Sequence, residues 1–448
     1  MATDLMNTGE QGWRCDVARP SLPEINSSLE VPLSAPALGK LLAFAGPGFL
    51  IAVGYMDPGN WATDIAAGSK YNYRLLSVIM LSNLMAILLQ ALAVKLGVVT
   101  GRDLAQACRD HFSRPTNFGL WVLAEVAIAA CDLAEVIGSA IALNLLFHIP
   151  LLWGVCLTAL DVLLFLALQQ KGFRFIEALV IALIAVISVC FGLEILFSRP
   201  DAAGLLAGFF VPSPQIIRDP RMLYIAVGIL GATVMPHNLY LHSAIVQTRR
   251  FERTPAGKRE AIRFCTLDST IALTIALFVN AAILIVSAAT FYRRGLNEIA
   301  EITDAYKLLS PLLGVTAASG VFALALLASG QNSTLTGTLA GQVVMEGFLN
   351  IRLRPWLRRL ITRLLAIIPA IIVTAFWGAR GTARLLVLSQ VVLSMQLSFA
   401  VVPLVMFTSD RRKMGEFVNP PWLEKLSWFT AVVIAGLNAW LLAQAFRL

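Results

Sequence analysis

The segment from Gly54 to Asn60 (GYMDPGN) interrupts the first long apolar stretch of the chain. A carboxylate is costly in hydrocarbon, and Pro and Gly deprive a membrane helix of internal hydrogen bonds. Such a break is tolerated only where it is buried in protein or lines a polar cavity. A second break, from Ala232 to His237 (ATVMPH), interrupts a later apolar stretch. Two interrupted segments in corresponding halves of a chain are typical of a transporter's binding site.

The composition indicates an all-α membrane protein. Hydrophobic residues make up 58% of the 448 residues and charged residues 14%, whereas soluble domains carry about 25% charged residues. The net charge of +8 does not require a nucleic-acid partner, because basic residues of membrane proteins collect in cytoplasmic loops. No obligatory protein partner is evident. The six cysteines form no CxxC pair, which favours small buried hydrophobes over disulfides or a zinc site.

Residues 1–39 are polar and contain no apolar core, which excludes a cleavable signal peptide and predicts a flexible cytoplasmic tail. Residues 40–448 are predicted to form the transmembrane domain. Counted against about 20 apolar residues per span, eleven transmembrane helices are predicted, near Leu41–Ala67, Leu75–Val99, Leu120–Phe147, Leu151–Leu168, Phe175–Phe197, Leu223–Val246, Leu267–Thr290, Ala317–Phe348, Leu360–Trp377, Leu385–Phe407 and Leu426–Phe446.

The loop charges predict the orientation. With the N-terminus inside, the inner loops hold 19 basic residues and the outer loops 10, so the N-terminus is expected in the cytoplasm and the C-terminus outside. We expect a multi-pass plasma-membrane protein, in the inner membrane if the source is Gram-negative. The breaks lie five spans apart, which predicts two inverted five-helix repeats, about 40–198 and 222–408. One extra helix, about 424–446, follows them.

The two breaks together offer ligands for a metal ion. Asp57 supplies an anionic oxygen, Asn60 a neutral oxygen and Met235 a thioether sulfur, and unwound backbone near Gly54 and Ala232 supplies carbonyl oxygens. Oxygen alone suits Ca²⁺ or Mg²⁺, whereas a thioether favours softer transition metals. One anionic ligand with one sulfur favours Mn²⁺ or Fe²⁺. The alternative for Met235 is a packing role in an apolar gap.

Glu125, Asp132 and Glu135 lie on one face of the third predicted span, within about 80° of one another. Carboxylates on one face of a membrane helix mark proton or ion routes. The alternative is structural pairing with arginines such as Arg359 or Arg363.

Two histidines of the sixth predicted span differ in their expected roles. His237 can relay protons or serve as a neutral structural group, and His242 is expected to be structural. Gln390, in the tenth span, is an uncharged interior group.

Two motifs are absent from the sequence. No GxxxxGK[ST] phosphate loop occurs, so direct coupling to ATP has no support, and no HExxH occurs, so an intramembrane metalloprotease lacks its ligands. We therefore expect a transporter driven by an ion gradient rather than an enzyme, with no permanently bound cofactor.

The ordered set of motifs resembles the Nramp family of proton-coupled divalent metal transporters, and in particular its bacterial manganese transporters. It consists of DPGN (57–60), DLAE (132–135), MPH (235–237) and TGTLAG (336–341), and the likeness covers about Leu41–Phe446. The resemblance implies a LeuT-like fold with helices 1 and 6 broken, and alternating access around a midplane metal site.

The resemblance also implies roles for individual residues. The metal ligands would be Asp57, Asn60, Met235 and the carbonyls of Ala232 and Gly54, joined in some conformations by Gln390. Asp57 would also take up the co-transported proton, with His237, Glu125, Asp132 and Glu135 along its exit route.

Two positions depart from the family pattern. Cys131 stands where threonine is usual, and Ser398 stands where the tenth span usually has proline, which affects how that span bends. The alternative functions are an amino-acid transporter and a metal sensor. An amino-acid transporter of the same architecture would set Asp57 against the substrate carboxylate, and a metal sensor would need a cytosolic output domain that the short loops do not offer.

Overall fold

The chain is a bundle of helices in the computed structural model. The structure describes residues 12–14, 20–32, 36–160, 171–297, 299 and 301–445, with the backbone alone for 355, 356, 359, 377–380, 383, 444 and 445. The helices are α1 Ala37–Phe44, α2 Pro47–Gly54, α3 Pro58–Tyr71, α4 Leu76–Thr100, α5 Leu104–His111, α6 Arg114–Phe147, α7 Leu151–Leu157, α8 Phe173–Ser198, α9 Ala202–Phe210, α10 Gln215–Arg218, α11 Pro220–Thr233, α12 Pro236–Ile245, α13 Pro255–Thr290, α14 Ile302–Leu313, α15 Ala318–Leu349, α16 Pro355–Ser409, α17 Arg411–Met414 and α18 Pro421–Ala445.

Both predicted breaks are confirmed. Helix α2 ends at Gly54 and α3 begins at Pro58, and α11 ends at Thr233 and α12 begins at Pro236. Proline is favoured at the first position of a helix, because its fixed φ suits a helix and its missing N–H would have no partner there. Each break therefore lies where a proline starts a new helix.

The number of spans depends on the criterion applied. By length and hydropathy, seven described helices can cross a membrane, or eight if α1 and α2 count as one bent span. The fourth and ninth predicted spans lie on the shorter apolar helices Leu151–Leu160 and Leu360–Phe376, and residues 161–170 of the fourth lie outside the described structure. The ninth and tenth predicted spans share one continuous helix, α16, which contains Pro369 and Pro403 without ending at either.

The two broken helices pack antiparallel to each other. Helix α3 packs against α11, and α2 packs against α12. A Cβ on Gly228 of α11 would lie 3.4 Å from Cγ2 of Thr63 on α3. Asn238 of α12 donates through Nδ2 to the carbonyl of Ile51 on α2, at 3.3 Å. The two breaks therefore meet inside the bundle, as expected for inverted repeats.

The first predicted span has a second bend that the sequence analysis missed. Helices α1 and α2 meet at 49°, and Gly46 between them has φ +135°, a region that side chains disfavour. The carboxylate of Asp268 on α13 accepts hydrogen bonds from the backbone N–H groups of Gly46 and Gly48, at 3.3 and 2.7 Å. The sequence Gly46-Pro47-Gly48 carried the signal for this bend.

Parts of the N-terminal segment pack onto the bundle. Strand β1, Leu29–Glu30, pairs in parallel with β2, Arg249–Arg250, and Trp13 and Leu22 are both 3% exposed. The predicted flexibility of residues 1–39 stays a prediction, and Cys15 lies outside the described residues.

Candidate metal site and proton route

Asp57 lies at the first break, where it caps α3. Its Oδ1 accepts a 2.8 Å hydrogen bond from the backbone N–H of Asn60, which satisfies one free donor at the helix start. The residue is 0% exposed, and Oδ2 has no donor among the described residues. The cap therefore fixes the carboxylate and leaves one oxygen available for a cation.

Asn60 and Asn280 present two further oxygens. Both donate through Nδ2 to the carbonyl of Tyr55, at 2.5 and 2.7 Å. Their Oδ1 atoms are buried and have no donor within the described part of the chain. Asn280, on α13, was missed, although an asparagine inside an apolar span was a visible signal.

Met235 brings sulfur to the same place from the second break. It precedes α12 and is fully buried, and a Cβ on Gly54 would lie 3.1 Å from its Sδ. Gly54 ends α2, and Ala232 lies in the last turn of α11. The last carbonyls of a helix have no partner within it and carry partial negative charge. Two helix ends that favour a cation thus adjoin the Met235 sulfur.

Gln390 of α16 packs against the start of α3. A Cβ on Gly59 would lie 1.7 Å from its Nε2, so only glycine at that position admits the Gln390 amide. Gln390 is 0% exposed, and its Oε1 has no donor among the described residues. The structure therefore places Gln390 against the first turn of α3, two residues after Asp57.

The arrangement suits a weakly held divalent transition metal. It gathers one carboxylate, neutral oxygens and one thioether, the ligand set of a borderline or soft ion. Across the described residues, no group of three or more His, Cys, Asp or Glu is placed to hold a metal ion. Such a site has little anionic charge, which favours release of a cargo ion over permanent binding.

A line of polar groups leads from the second break to the third predicted span. His237, 2% exposed, has Nε2 at 3.9 Å from Sγ of Cys131, which lies 3.8 Å from Oε1 of Glu135. Asp132 is 1% exposed and lies one turn before Glu135. The sequence predicts only a small buried residue at Cys131, and the structure places it between His237 and Glu135.

Arginines pair with two of the three predicted carboxylates. Arg363 lies 3.7 Å from Oε2 of Glu135, a pairing of the kind given above as the structural alternative. Glu125 pairs at 2.9 Å with Arg358, a residue that was not predicted, and the side chain of Arg359 lies outside the described structure. A Cβ on Gly341 would lie 1.8 Å from Nη1 of Arg358, so this glycine of TGTLAG makes room for the guanidinium.

His242 belongs to a separate hydrogen-bonded chain. Its Nδ1 lies 2.9 Å from Oε1 of Gln90, and Nε2 of Gln90 donates to the Tyr55 hydroxyl at 3.0 Å. This contact supports the structural role predicted for His242.

Comparison with known proteins agrees with this geometry. Residues 48–444 match the family described as Nramp, natural resistance-associated macrophage protein-like. The "Divalent metal cation transporter MntH" of Nostoc sp. is 68% identical over 95% of this chain and 96% of its own length. The protein of the same description from Listeria monocytogenes is 64% identical over 99% of this chain and 98% of its own length.

Two solved transporter structures are similar to this chain. A structure of the Eremococcus coleocola manganese transporter matches with a TM-score of 0.88 and 44% identity, over 94% of this chain and 90% of that one. Mhp1, a nucleobase-cation-symport-1 family transporter, matches with a TM-score of 0.60 at 13% identity, over 92% of each chain. The second likeness concerns the fold alone, which is LeuT-like as expected. The chain belongs to the Nramp family, a family of membrane transporters rather than enzymes.

Proposed function

We propose that this protein moves divalent transition-metal ions, Mn²⁺ first and Fe²⁺ and similar ions also, into the cell by proton symport. The observation that carries the proposal is the contact between the two breaks: the Met235 sulfur lies against Gly54 at the end of α2, three residues before Asp57, and all of these residues are buried. The relatives described as divalent metal cation and manganese transporters support it. The cargo ion and the proton are substrates.

The proposed ligands act as one shell around the ion. Asp57 supplies the charge, Asn60 and the carbonyls of Ala232 and Gly54 supply neutral oxygens, and Met235 supplies the sulfur. Gln390 joins through Oε1 when α16 is close. Metal binding requires the Asp57 carboxylate, so the metal and a proton compete for it.

The proton is proposed to leave Asp57 along the line of His237, Cys131 and Glu135. Asp132 and Glu125 continue the route, and Arg363 and Arg358 hold the carboxylates Glu135 and Glu125 in place. An imidazole can take up and release a proton near neutral pH. A route on α6 separates the proton from the metal, which lies between the broken helices.

Alternating access follows from the broken helices. The site is closed to solvent, because no proposed side-chain ligand is more than 1% exposed. These ligands are Asp57, Asn60, Met235 and Gln390. Rocking of the segments joined at the breaks would open it to one side at a time. The proposed orientation in the plasma membrane has the N-terminus in the cytoplasm and the C-terminus outside.

The test is Mn²⁺ uptake into proteoliposomes with and without an inward proton gradient. Asp57→Asn should abolish uptake, and Glu252→Gln, at an exposed carboxylate, serves as the matched control. Glu135→Gln should uncouple proton entry, read by an internal pH dye, from Mn²⁺ entry. Wild-type uptake by Asp57→Asn would place the metal site elsewhere and overturn the proposal.

A further inference from the structure

A groove of about 380 Å³ lies between α4, the start of α13 and the segment that leads into α18. It lies at the end of the helix bundle where α4 ends and α13 begins. Lys95, Arg259 and Arg263 line it together with one acidic residue, Glu416. Its apolar lining includes Leu92 and Leu423. The groove thus combines an excess of positive charge with an apolar wall.

Among the described residues, two of the three cations have no acidic partner. Arg259 pairs with Glu416 at 2.6 Å. Lys95, half-buried on a membrane helix, donates to the neutral Oδ1 of Asn419 at 2.8 Å. Within the described chain, neither Lys95 nor Arg263 has an ion pair. A charge at the edge of hydrocarbon normally has a counter-charge, so the groove is complementary to an anion that the protein itself does not supply.

An exposed apolar face of α13 continues from the groove. Leu267 and Ile271 follow Arg263 at intervals of four residues, so the three share one face of α13. Leu267 is 41% exposed and Ile271 is 40% exposed. At 1.5 Å per residue this face extends about 12 Å from Arg263 toward the membrane centre, comparable to one leaflet's hydrocarbon, about 15 Å.

We propose that this groove binds an anionic phospholipid, with its phosphate between Lys95 and Arg263 and an acyl chain along Leu267 and Ile271. Basic pockets between membrane helices on the cytoplasmic side hold anionic headgroups in this way. The amine of a zwitterionic lipid would be repelled by the same cations. The site is separate from Asp57 and independent of which metal is carried.

The test measures lipid retention by the purified full-length protein. Delipidated protein is titrated with phosphatidylglycerol or phosphatidylcholine, and bound lipid is counted by native mass spectrometry. Wild type should prefer phosphatidylglycerol. Lys95→Gln with Arg263→Gln should weaken its binding about 30-fold, since each basic residue near a membrane surface contributes about fivefold. Size-exclusion chromatography checks that the variant is folded.

The control exchanges Arg411 and Arg218 for glutamine, two exposed arginines outside the groove, and should retain the wild-type preference. Equal retention of phosphatidylcholine, or less than threefold loss in the double variant, overturns the proposal. Inorganic phosphate that binds lipid-free protein as tightly as phosphatidylglycerol would also overturn it. None of these readouts depends on transport, so a failed metal assignment leaves the test intact.

Discussion

Arg249 donates a 2.6 Å hydrogen bond through Nη1 to Oε1 of Glu177, and the two side chains are 0% and 1% exposed. Through Nη2 the same guanidinium donates to the carbonyl of Ala45, at 2.6 Å. Arg174 donates to that carbonyl from the start of α8, also at 2.6 Å. The buried pair therefore joins the chain after α12, the helix α8 and the bend between α1 and α2.

Removing one partner of this pair should be strongly destabilising. We expect Arg249→Met to lower the free energy of unfolding by about 3 kcal/mol. It removes the buried partner of the Glu177 carboxylate and leaves that carboxylate paired with Arg174, whose side chain is 51% exposed. Adding Glu177→Leu should recover much of the loss. SDS titration of the purified protein measures both. As a control, Arg250→Gln breaks a pair with Glu30 whose side chains are 68% and 80% exposed and should have little effect; a comparable loss there would contradict the role of burial.

Met235 is expected to act through its sulfur rather than its volume. Met235→Leu keeps the size of the side chain and removes the thioether, so Cd²⁺ should lose at least tenfold in apparent affinity, while Mn²⁺ loses less. Excess Ca²⁺ or Mg²⁺ should then compete for uptake. Competition assays in proteoliposomes measure these effects. If Met235→Leu discriminates as wild type does, Met235 is a packing residue.

Gly59→Ala should displace Gln390 from the site. The new Cβ would overlap the Gln390 amide, and overpacking a buried position costs about 1–3 kcal/mol. Adding Gln390→Ala should restore stability but not wild-type transport, if Gln390 is a ligand. Gly119→Ala is the matched control, because a Cβ there meets no atom within 4 Å. Equal losses from the two glycine substitutions would show helix-wide effects instead of a local clash.

Asp103, in the loop between α4 and α5, should make the folding stability of the protein depend on pH. Asp103 caps α5 and accepts a 2.5 Å hydrogen bond from the Ser21 hydroxyl, and burial raises the pKa of its carboxyl from 3.8 to about 6. A raised pKa in the folded state stabilises the protein below the unfolded pKa, and the stabilisation is lost as pH rises through 6.

We therefore expect Asp103 to contribute about 2 kcal/mol less at pH 8 than at pH 4. Asp103→Asn keeps a good helix cap and should remove this share of the pH dependence. Thermal unfolding of both proteins across this range isolates the contribution. Identical pH profiles would show that the Asp103 carboxyl titrates as it does in water.

Much of the site was predictable because its signals are local. The breaks at Pro58 and Pro236 follow from the sequence, because each proline stands beside a polar residue, Asp57 or His237, within an apolar stretch. The ligand types at Asp57 and Met235 follow in the same way. Proline alone is a weaker signal, since Pro369 and Pro403 lie inside α16 without ending it. The second bend carried an equally local signal in Gly46-Pro47-Gly48, and acidic residues inside predicted spans, Glu177 and Asp268, marked its partners.

Other residues could not be found from their own neighbourhoods. Cys131 reads as a small buried residue until His237, more than one hundred positions later, is placed 3.9 Å from it. Asn280 is recognised as part of the site only in the structure, where its amide and that of Asn60 both donate to the Tyr55 carbonyl. Arg358 is one of several loop-side arginines until Gly341 admits it beside Glu125.

The sequence by itself determined the helical membrane character of the chain, the positions of the two breaks and the ligand types at them, because hydropathy, proline and glycine act over a few residues. Only the tertiary structure decided which groups meet. The antiparallel packing of α3 on α11 and of α2 on α12 sets the Met235 sulfur against Gly54, three residues before Asp57. The rotation of each helix about its axis is fixed by side-chain packing between residues far apart in the chain, which no local pattern encodes.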